Sequence, residues 1–409
     1  MSVDFGPKSV AIVGSGLVGC LQGLYLRKHG YNVVFFESRA DPRVVNETGR
    51  SINLVITSRG IQALTGLSDE LAEKVMSVTT RVDGRTIHNM DKSVAYQAYG
   101  PTSAYCNFSV SRWELNKVLI DAAADAGCQF FFSHPLSHID IPNTTIYFYL
   151  QHEVTKQFYQ KSVKVSLVFG ADGGGSRCRI ALKGLLGDTC SDVCQPLGSG
   201  YKELSMPAGE NGAYHLHGES LHIWPRGTHF LMALANLDGS FTMTFYMSNA
   251  ELAALKTEEQ VESFFQEYYP TAIALMPDYK KEFMSRPNGF LGTVFAKPWV
   301  FEDKLALIGD AAHAVTPFFG QGCNCGFEDV SVFDAILTRH EEGAAGGEVN
   351  MTAVLQDYDA ERKPNGDAIG NMALENFVEM MSKTADPKFR LEKDIELVIQ
   401  KHFPVFTSR

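Results

Sequence analysis

The residues with chemical promise in this chain are glycines set beside single acids, not a nucleophile with its base. The first group is Gly14-Ser15-Gly16-Leu17-Val18-Gly19, which follows the apolar run Ser9 to Val13 and opens the helix-like Cys20 to His29. A second apolar run, Tyr31 to Phe36, ends on Glu37. Gly14 permits a tight turn, Gly16 lets backbone approach a pyrophosphate, and Gly19 lets the helix pack close to the strand. The helix N-terminus brings amides and partial positive charge to phosphates, and Glu37 can accept from two ribose hydroxyls. Strand, glycine turn, helix, strand and acid in this order predict a bound dinucleotide, either NAD or FAD. The alternative is a glycine-rich turn that binds nothing.

Two further groups bear on that choice. An apolar run, Val163 to Phe169, leads into Asp172-Gly173, with Ser176 and Arg179 following. Later, Leu305 to Ile308 leads into Gly309-Asp310 and then Pro317-Phe318-Phe319-Gly320-Gln321-Gly322. Asp310, at a strand end without a nearby cation in sequence, suits a ribityl hydroxyl. Gly320 to Gly322, at a helix start, can offer amides to the electron-rich edge of a flavin. Either aspartate alone could equally be a helix cap. In sequence after the first turn, the two favour FAD.

The elements that must position these groups follow from pattern. Ser111 to Ala126 reads as an amphipathic helix with Ser111 as N-cap and Glu114 completing a capping box. Thr57 to Val75 and Thr257 to Tyr269 read as helices, and Tyr214 to Met247 as strand-rich. The tail from Met351 reads as helical, with breaks near Pro364 and Pro387. The expected fold class is α/β: a Rossmann-like FAD-binding domain with an interleaved β-sheet substrate domain and a helical C-terminal part. The nucleotide unit would comprise residues 1–75, 104–180 and 290–345. The substrate unit would comprise 76–103 and 181–289, and the helical region 346–409.

A net charge of −11 over 409 residues gives no basic patch for nucleic acid. No run approaches eighteen apolar residues, so no membrane span is expected, and the first strand begins too early for a signal peptide. The eight cysteines are scattered and complete no metal-ligand spacing, so buried free thiols in a reducing compartment are expected.

GSGLVG (14–19), DGGGSRCR (172–179) and GDAAHAVTPFFGQG (309–322) resemble the three signatures of the FAD-dependent aromatic hydroxylases of the p-hydroxybenzoate hydroxylase type. GRSINL (49–54), SVSRWELNKVL (109–119), LHIWPR (221–226) and FFGQGCNCGFED (318–329) resemble the kynurenine-hydroxylating branch of that family. The resemblance implies tightly bound FAD and hydroxylation of L-kynurenine to its 3-hydroxy product through a flavin C4a-hydroperoxide. NADPH and O2 would be co-substrates, with NADPH bound transiently and without a Rossmann domain of its own.

It also implies site residues. FAD would meet Gly14, Gly16, Leu17, Val18, Gly19, Glu37, Ser38, Arg39, Leu54 and Arg112. Further along, it would meet Asp172, Gly173, Gly309, Asp310, Pro317, Gly320, Gln321, Gly322, Cys323 and Asn324. Arg85 and Tyr99 would bind the substrate carboxylate, a guanidinium fork beside a phenol donor. Asn376, Glu379 and Met380 would lie near the substrate, and Pro317, Phe318 and Phe319 would border flavin and ring. Leu221, Ile223, Met232, Leu234 and Phe245 would form the sheet wall of the pocket. No catalytic side chain and no metal ligand is implied.

Cys323 and Cys325 stand where the family usually has Met and Ala. The family's C-terminal tyrosine has no clear equivalent before Arg409, which suggests a shortened chain. Eukaryotic members continue into a hydrophobic anchor for the mitochondrial outer membrane, facing the cytosol. Two rival readings stand beside this one: a hydroxylase of another aromatic acid, and a non-catalytic escort of prenylated GTPases.

Overall fold

The computed structural model describes residues 2–45, 53–100, 102, 104–152, 155–378 and 387–403. Four sheets organise them. The first has six strands in the order 300–301, 305–307, 167–170, 9–13, 32–36 and 129–131. All its pairings are parallel except that of the edge strand Val300–Phe301. Parallel strands are covered on both faces, which explains why Ser9–Val13 is an unbroken apolar run after its first residue and wholly buried. The helix Leu17–Lys28 buries every residue from Gly19 to Leu26 and so shows little amphipathic character in its sequence.

The second sheet has seven strands, in the order 289–297, 191–206, 241–248, 230–235, 220–225, 84–88 and 94–98. Its pairings are antiparallel apart from Ser220–Pro225 with Gly84–His88. Gly289–Lys297 belongs to this sheet, so the boundary expected at 290 does not divide the sheets. One face of the large sheet is closed by helices Glu258–Tyr268 and Tyr279–Ser285, which join Leu204, Trp224, Met243 and Phe245 in one apolar cluster. The other face turns toward the nucleotide sheet. A three-stranded sheet (53–56, 107–111, 79–82) and a four-stranded sheet (2–4, 158–164, 145–151, 136–140) complete the α/β architecture.

Two helical expectations are corrected. Thr57 to Val75 is two helices, Ser58–Thr65 and Asp69–Met76, because the Ser68 side chain accepts from the Leu71 N–H and starts a second helix. Pro364 does not break its helix, which runs from Met351 to Val378. Tyr358 and Arg362, both buried, fix that helix against the body on the turn before the proline, and tertiary contact outweighs the lost backbone bond. Among the described residues no helix is long and apolar enough to cross a membrane.

Candidate functional site

The first glycine turn sits where the central strands of the six-stranded sheet end. Gly14 has φ +100°, and a Cβ there would lie 2.5 Å from the Ala171 carbonyl oxygen. The first and second motifs are therefore in backbone contact, at a position that only glycine occupies without strain. Arg179 ties the second motif to the third. Its Nη1 donates to the Ala311 carbonyl at 2.8 Å, its Nη2 to that of Gly174 at 2.7 Å and its Nε to Asp192 at 2.8 Å.

These motifs form one wall of a cavity of about 310 Å³, within the range of small-molecule sites. Gly16, Leu17, Val18, Leu54, Arg112, Gly173, Asp310, Pro317, Gly320, Gly322 and Cys323 line that side. The opposite wall is the free face of the large sheet, with Tyr201, Met232, Leu234, Thr242, Thr244, Tyr246 and Leu291. Asn53 joins the walls: its amide donates to Asn236 Oδ1 at 2.8 Å and to the Ala235 carbonyl at 3.3 Å, while its Oδ1 accepts from Thr242 at 3.0 Å.

The residues fit a dinucleotide. A Cβ at Gly16 would meet nothing within 4 Å, so the turn leaves open the space a pyrophosphate needs. Asp310 lines the cavity and its carboxylate makes no hydrogen bond or ion pair among the described residues, leaving an acceptor for a ribityl hydroxyl. Glu37, 5% exposed, lies beyond the turn and accepts from the Ser15 N–H at 3.0 Å and the Arg39 N–H at 2.9 Å. Burial would raise its carboxyl, but Arg39 and these amides hold it below the usual carboxylate range. A small recess beside it is edged by Arg39, Trp113 and Asn116.

The chain matches the family described as "FAD binding domain" over residues 8–373. It is 38% identical to kynurenine 3-monooxygenase of Flavobacterium psychrophilum over 97% of this chain and 86% of that protein. It is 40% identical to the enzyme of the same name from Myxococcus xanthus, over 98% and 84%. The chain belongs to the kynurenine 3-monooxygenase family. The fold agrees: 2-methyl-3-hydroxypyridine-5-carboxylic acid oxygenase superposes with a TM-score of 0.70 at 17% identity, over 93% of this chain and 94% of that one. PqsL of Pseudomonas aeruginosa superposes with a TM-score of 0.67 at 18% identity, over 93% and 99%. The cofactor is therefore FAD, and NADPH is the reductant typical of the family. These relatives favour neither the escort reading nor a different aromatic acid. Both kynurenine 3-monooxygenases named here are bacterial and lend no support to a mitochondrial location.

Within this kynurenine 3-monooxygenase family frame, several expected residues fall elsewhere than the cavity. Phe245 lies on the wrong face of its strand. Thr242, Thr244 and Tyr246 face the cavity, whereas Phe245 is fully buried among Phe264, Phe265, Tyr269 and Phe283. Helices cover that face, and Phe245 shares it with Phe241, Met243 and Met247, whereas Thr242, Thr244 and Tyr246 alternate to the other. Asp172 does not line the cavity: its carboxylate accepts from Ser176 Oγ at 2.5 Å and from the Arg177 and Cys178 N–H groups at 2.7 and 3.2 Å. It caps a helix, while Gly173 beside it reaches the cavity. Asn324 is fully buried and bonds Thr57 N, Val55 O and Gly320 O, so it fixes the turn without facing the cavity. Gly19 packs against the Gly14 carbonyl, Gln321 stands at the N-cap of the helix Gly322–Gly343, and Ser38 donates to Glu37 at 3.2 Å.

The substrate set is partly brought together. Met232 and Leu234 line the cavity. Leu221 and Ile223 pack behind it with Phe230, Tyr246 and Phe318. The Arg85 guanidinium lies 5.7 Å from the Tyr99 ring centre, and Arg85 pairs directly with Leu221 across the sheet, on the same face. Burial pushes the Tyr99 phenol up, against the pull of Arg85. Asn376 donates to the Phe318 carbonyl at 2.8 Å, and Phe319 is 38% exposed. Glu379 and Met380 lie outside the described residues, as does most of GRSINL. Cys323 lines the cavity, its thiol pushed up by burial to about 12, so it is present as the neutral thiol.

Sequence reasoning missed Tyr201, Thr242, Thr244 and Tyr246, although strict alternation counted from Met232 and Leu234 across the register would have found the last three. It also missed His313, Asp329 and Arg362, a buried network behind Gly309. Burial would lower His313, yet Asp329 holds its imidazolium well above the ordinary range.

Proposed function

We propose that the protein hydroxylates L-kynurenine to 3-hydroxy-L-kynurenine, with FAD resident, NADPH as reductant and O2 as oxygen source. The observation that carries this reading is likeness to kynurenine 3-monooxygenases over 97% of the chain. The cavity between a nucleotide wall and an aromatic-lined sheet is what such an enzyme needs. One oxygen atom enters the ring and the other leaves as water, its two hydrogens supplied by the NADPH hydride and a proton, with NADP+ left behind. FAD, when bound, supplies the electron transfer and oxygen chemistry.

The chain's own residues bind, orient and keep water out. Arg85 and Tyr99 would take the amino-acid carboxylate, the fork giving two charge-assisted hydrogen bonds. Met232, Leu234 and Tyr246 would hold the ring against the large sheet, with Pro317 at the flavin side. Phe318, 5.3 Å from the Tyr246 ring and 4.7 Å from Phe377, would close the apolar end. Ring hydroxylation needs no side-chain base here, because the amino group ortho to the attacked carbon already supplies electron density.

The test is kynurenine-stimulated NADPH oxidation by FAD-loaded protein, with the product identified. No stimulation would sink the substrate assignment while leaving the FAD assignment standing. Arg85→Ala should weaken kynurenine binding about 10- to 100-fold, the loss of about 1.5–3 kcal/mol from one charged hydrogen-bonding group, with FAD still bound. Unchanged kynurenine affinity would refute the clamp.

A further inference from the structure

Asp310 presents its carboxylate to the cavity without a hydrogen bond or ion pair of its own among the described residues. The turn that aims it is held from behind by another acid. Asp329, fully buried, accepts from the Gly309 N–H at 3.1 Å and from His313 Nε2 at 2.5 Å through one oxygen. Its other oxygen accepts from Arg362 Nε at 2.8 Å. The Arg362 fork continues to Glu328 at 3.0 Å and to the Cys325 carbonyl at 3.3 Å. On the opposite side of the turn, a Cβ at Gly309 would lie 3.1 Å from Val18, at the start of the first glycine-turn helix. Gly309, at φ +61°, is thus clamped between Val18 and Asp329. Three donors converging on one carboxylate in a dry interior fix that geometry tightly.

Arg362 comes from the long helix Met351–Val378, which also reaches the other end of the cavity through Asn376 and the Phe318 carbonyl. We infer that Arg362, acting through Asp329 and His313, is a positioning residue for FAD, so that cofactor retention depends on the long C-terminal helix. The inference rests on the FAD reading of the cavity and is independent of which aromatic ring is hydroxylated. A purely structural role would cost FAD affinity only in proportion to stability. A positioning role costs affinity beyond that, because the Gly309 amide loses its acceptor and Asp310 its direction.

The experiment strips purified full-length protein of FAD, titrates FAD back and follows quenching of flavin fluorescence. It records denaturation midpoints of the stripped proteins alongside. Asp329→Asn turns an amide NH2 toward one of three donors and should weaken FAD binding tenfold or more. Arg362→Lys keeps the charge but loses the fork; it should weaken FAD binding in the same direction by a smaller factor, which keeps the test open should Asp329→Asn not fold. Phe265→Leu is the control, fully buried with Tyr279 and Phe283 in the separate apolar cluster under the large sheet. The visible spectrum of the bound flavin should change in the network variants and stay as wild type in the control. FAD affinity that tracks the denaturation midpoint identically in all three variants would overturn the inference. Wild-type protein that binds no FAD would instead overturn the cofactor assignment.

Discussion

Gly14 and Gly16 belong to one turn, yet their substitution should fail in different ways. At Gly16 the backbone has φ −71° and ψ −179°, which any residue adopts. A Cβ added there meets no atom within 4 Å. Gly16→Val should therefore leave the FAD-free protein within about 1 kcal/mol of wild type, the ordinary cost of a changed N-cap. Its methyl groups would instead fill the space in which phosphate oxygens approach the helix amides. Losing one such charge-assisted contact is worth about 1.5–3 kcal/mol, so FAD affinity should fall about 10- to 100-fold. Gly14→Ala meets φ +100° and a carbonyl oxygen 2.5 Å away. Left-handed backbone alone costs roughly 1–2 kcal/mol, and the contact with Ala171 adds to it. That variant should lose stability before any cofactor is added. The assay is chemical denaturation of both stripped proteins, followed by FAD titration. Equal destabilisation of the two, or wild-type FAD affinity in Gly16→Val, would refute this account of the turn.

Other positions separate stability from binding in the same manner. Phe245→Ala should cost about 3–5 kcal/mol of stability by opening a void among four aromatic rings, with kynurenine affinity unchanged at temperatures where the variant stays folded; calorimetry and titration check the pair. Met232→Ala, on the cavity face, should reverse that pattern, weakening kynurenine binding more than it lowers the denaturation midpoint. His229 is 5% exposed and bonded to the Tyr269 hydroxyl at 2.6 Å, and burial pushes it down to about 4. A histidine kept neutral in the fold but titrating near 6.5 when unfolded stabilises fully above pH 6.5. That contribution is lost as pH falls toward 4, by at most about 3 kcal/mol. Denaturation midpoints between pH 4 and 7 should show a slope of this sign in the wild type, and His229→Phe should reduce it without abolishing it, because burial also pushes His88 down to about 4.

What could be read from the sequence was what local physics dictates. Parallel strands buried on both faces announce themselves as apolar runs, and Ser111 caps the helix Arg112–Asp125 by accepting from the Glu114 N–H as its type and spacing suggest. Glycines required by close approach are legible because no other residue solves the problem. Faces are harder. Phe245 and Tyr246 are neighbours, both aromatic and both buried, and the alternation of Phe241, Met243 and Phe245 with Thr242, Thr244 and Tyr246, set by the pairing of Met232 with Thr244, decides which one sees the cavity. The Pro364 helix shows the same limit, since its continuity depends on tertiary contacts made by Tyr358 and Arg362.

The two aspartates of the second and third motifs show why chemistry cannot be assigned from a residue type and its flanking glycine. Both follow apolar strands of the same sheet and both stand where a helix begins nearby. Asp172 lies four residues before the serine that caps its helix, so its oxygens are taken by Ser176, Arg177 and Cys178. Asp310 is itself the first residue of its short helix, and its side chain makes no bond to the amides that follow among the described residues. Its neighbour Gly309 is bound from behind by Asp329, and the carboxylate is left facing the cavity. One acid is used up in making the turn, and the other is left without a partner among the described residues by a turn that a distant acid makes. Asp172→Asn should therefore cost stability by weakening a cap, about 0.5–2 kcal/mol, whereas Asp310→Asn should leave the stripped protein intact and weaken FAD binding. The reverse assignment, with FAD affinity lost in the first variant and unchanged in the second, would show that the cavity-facing carboxylate is not the one that holds the cofactor.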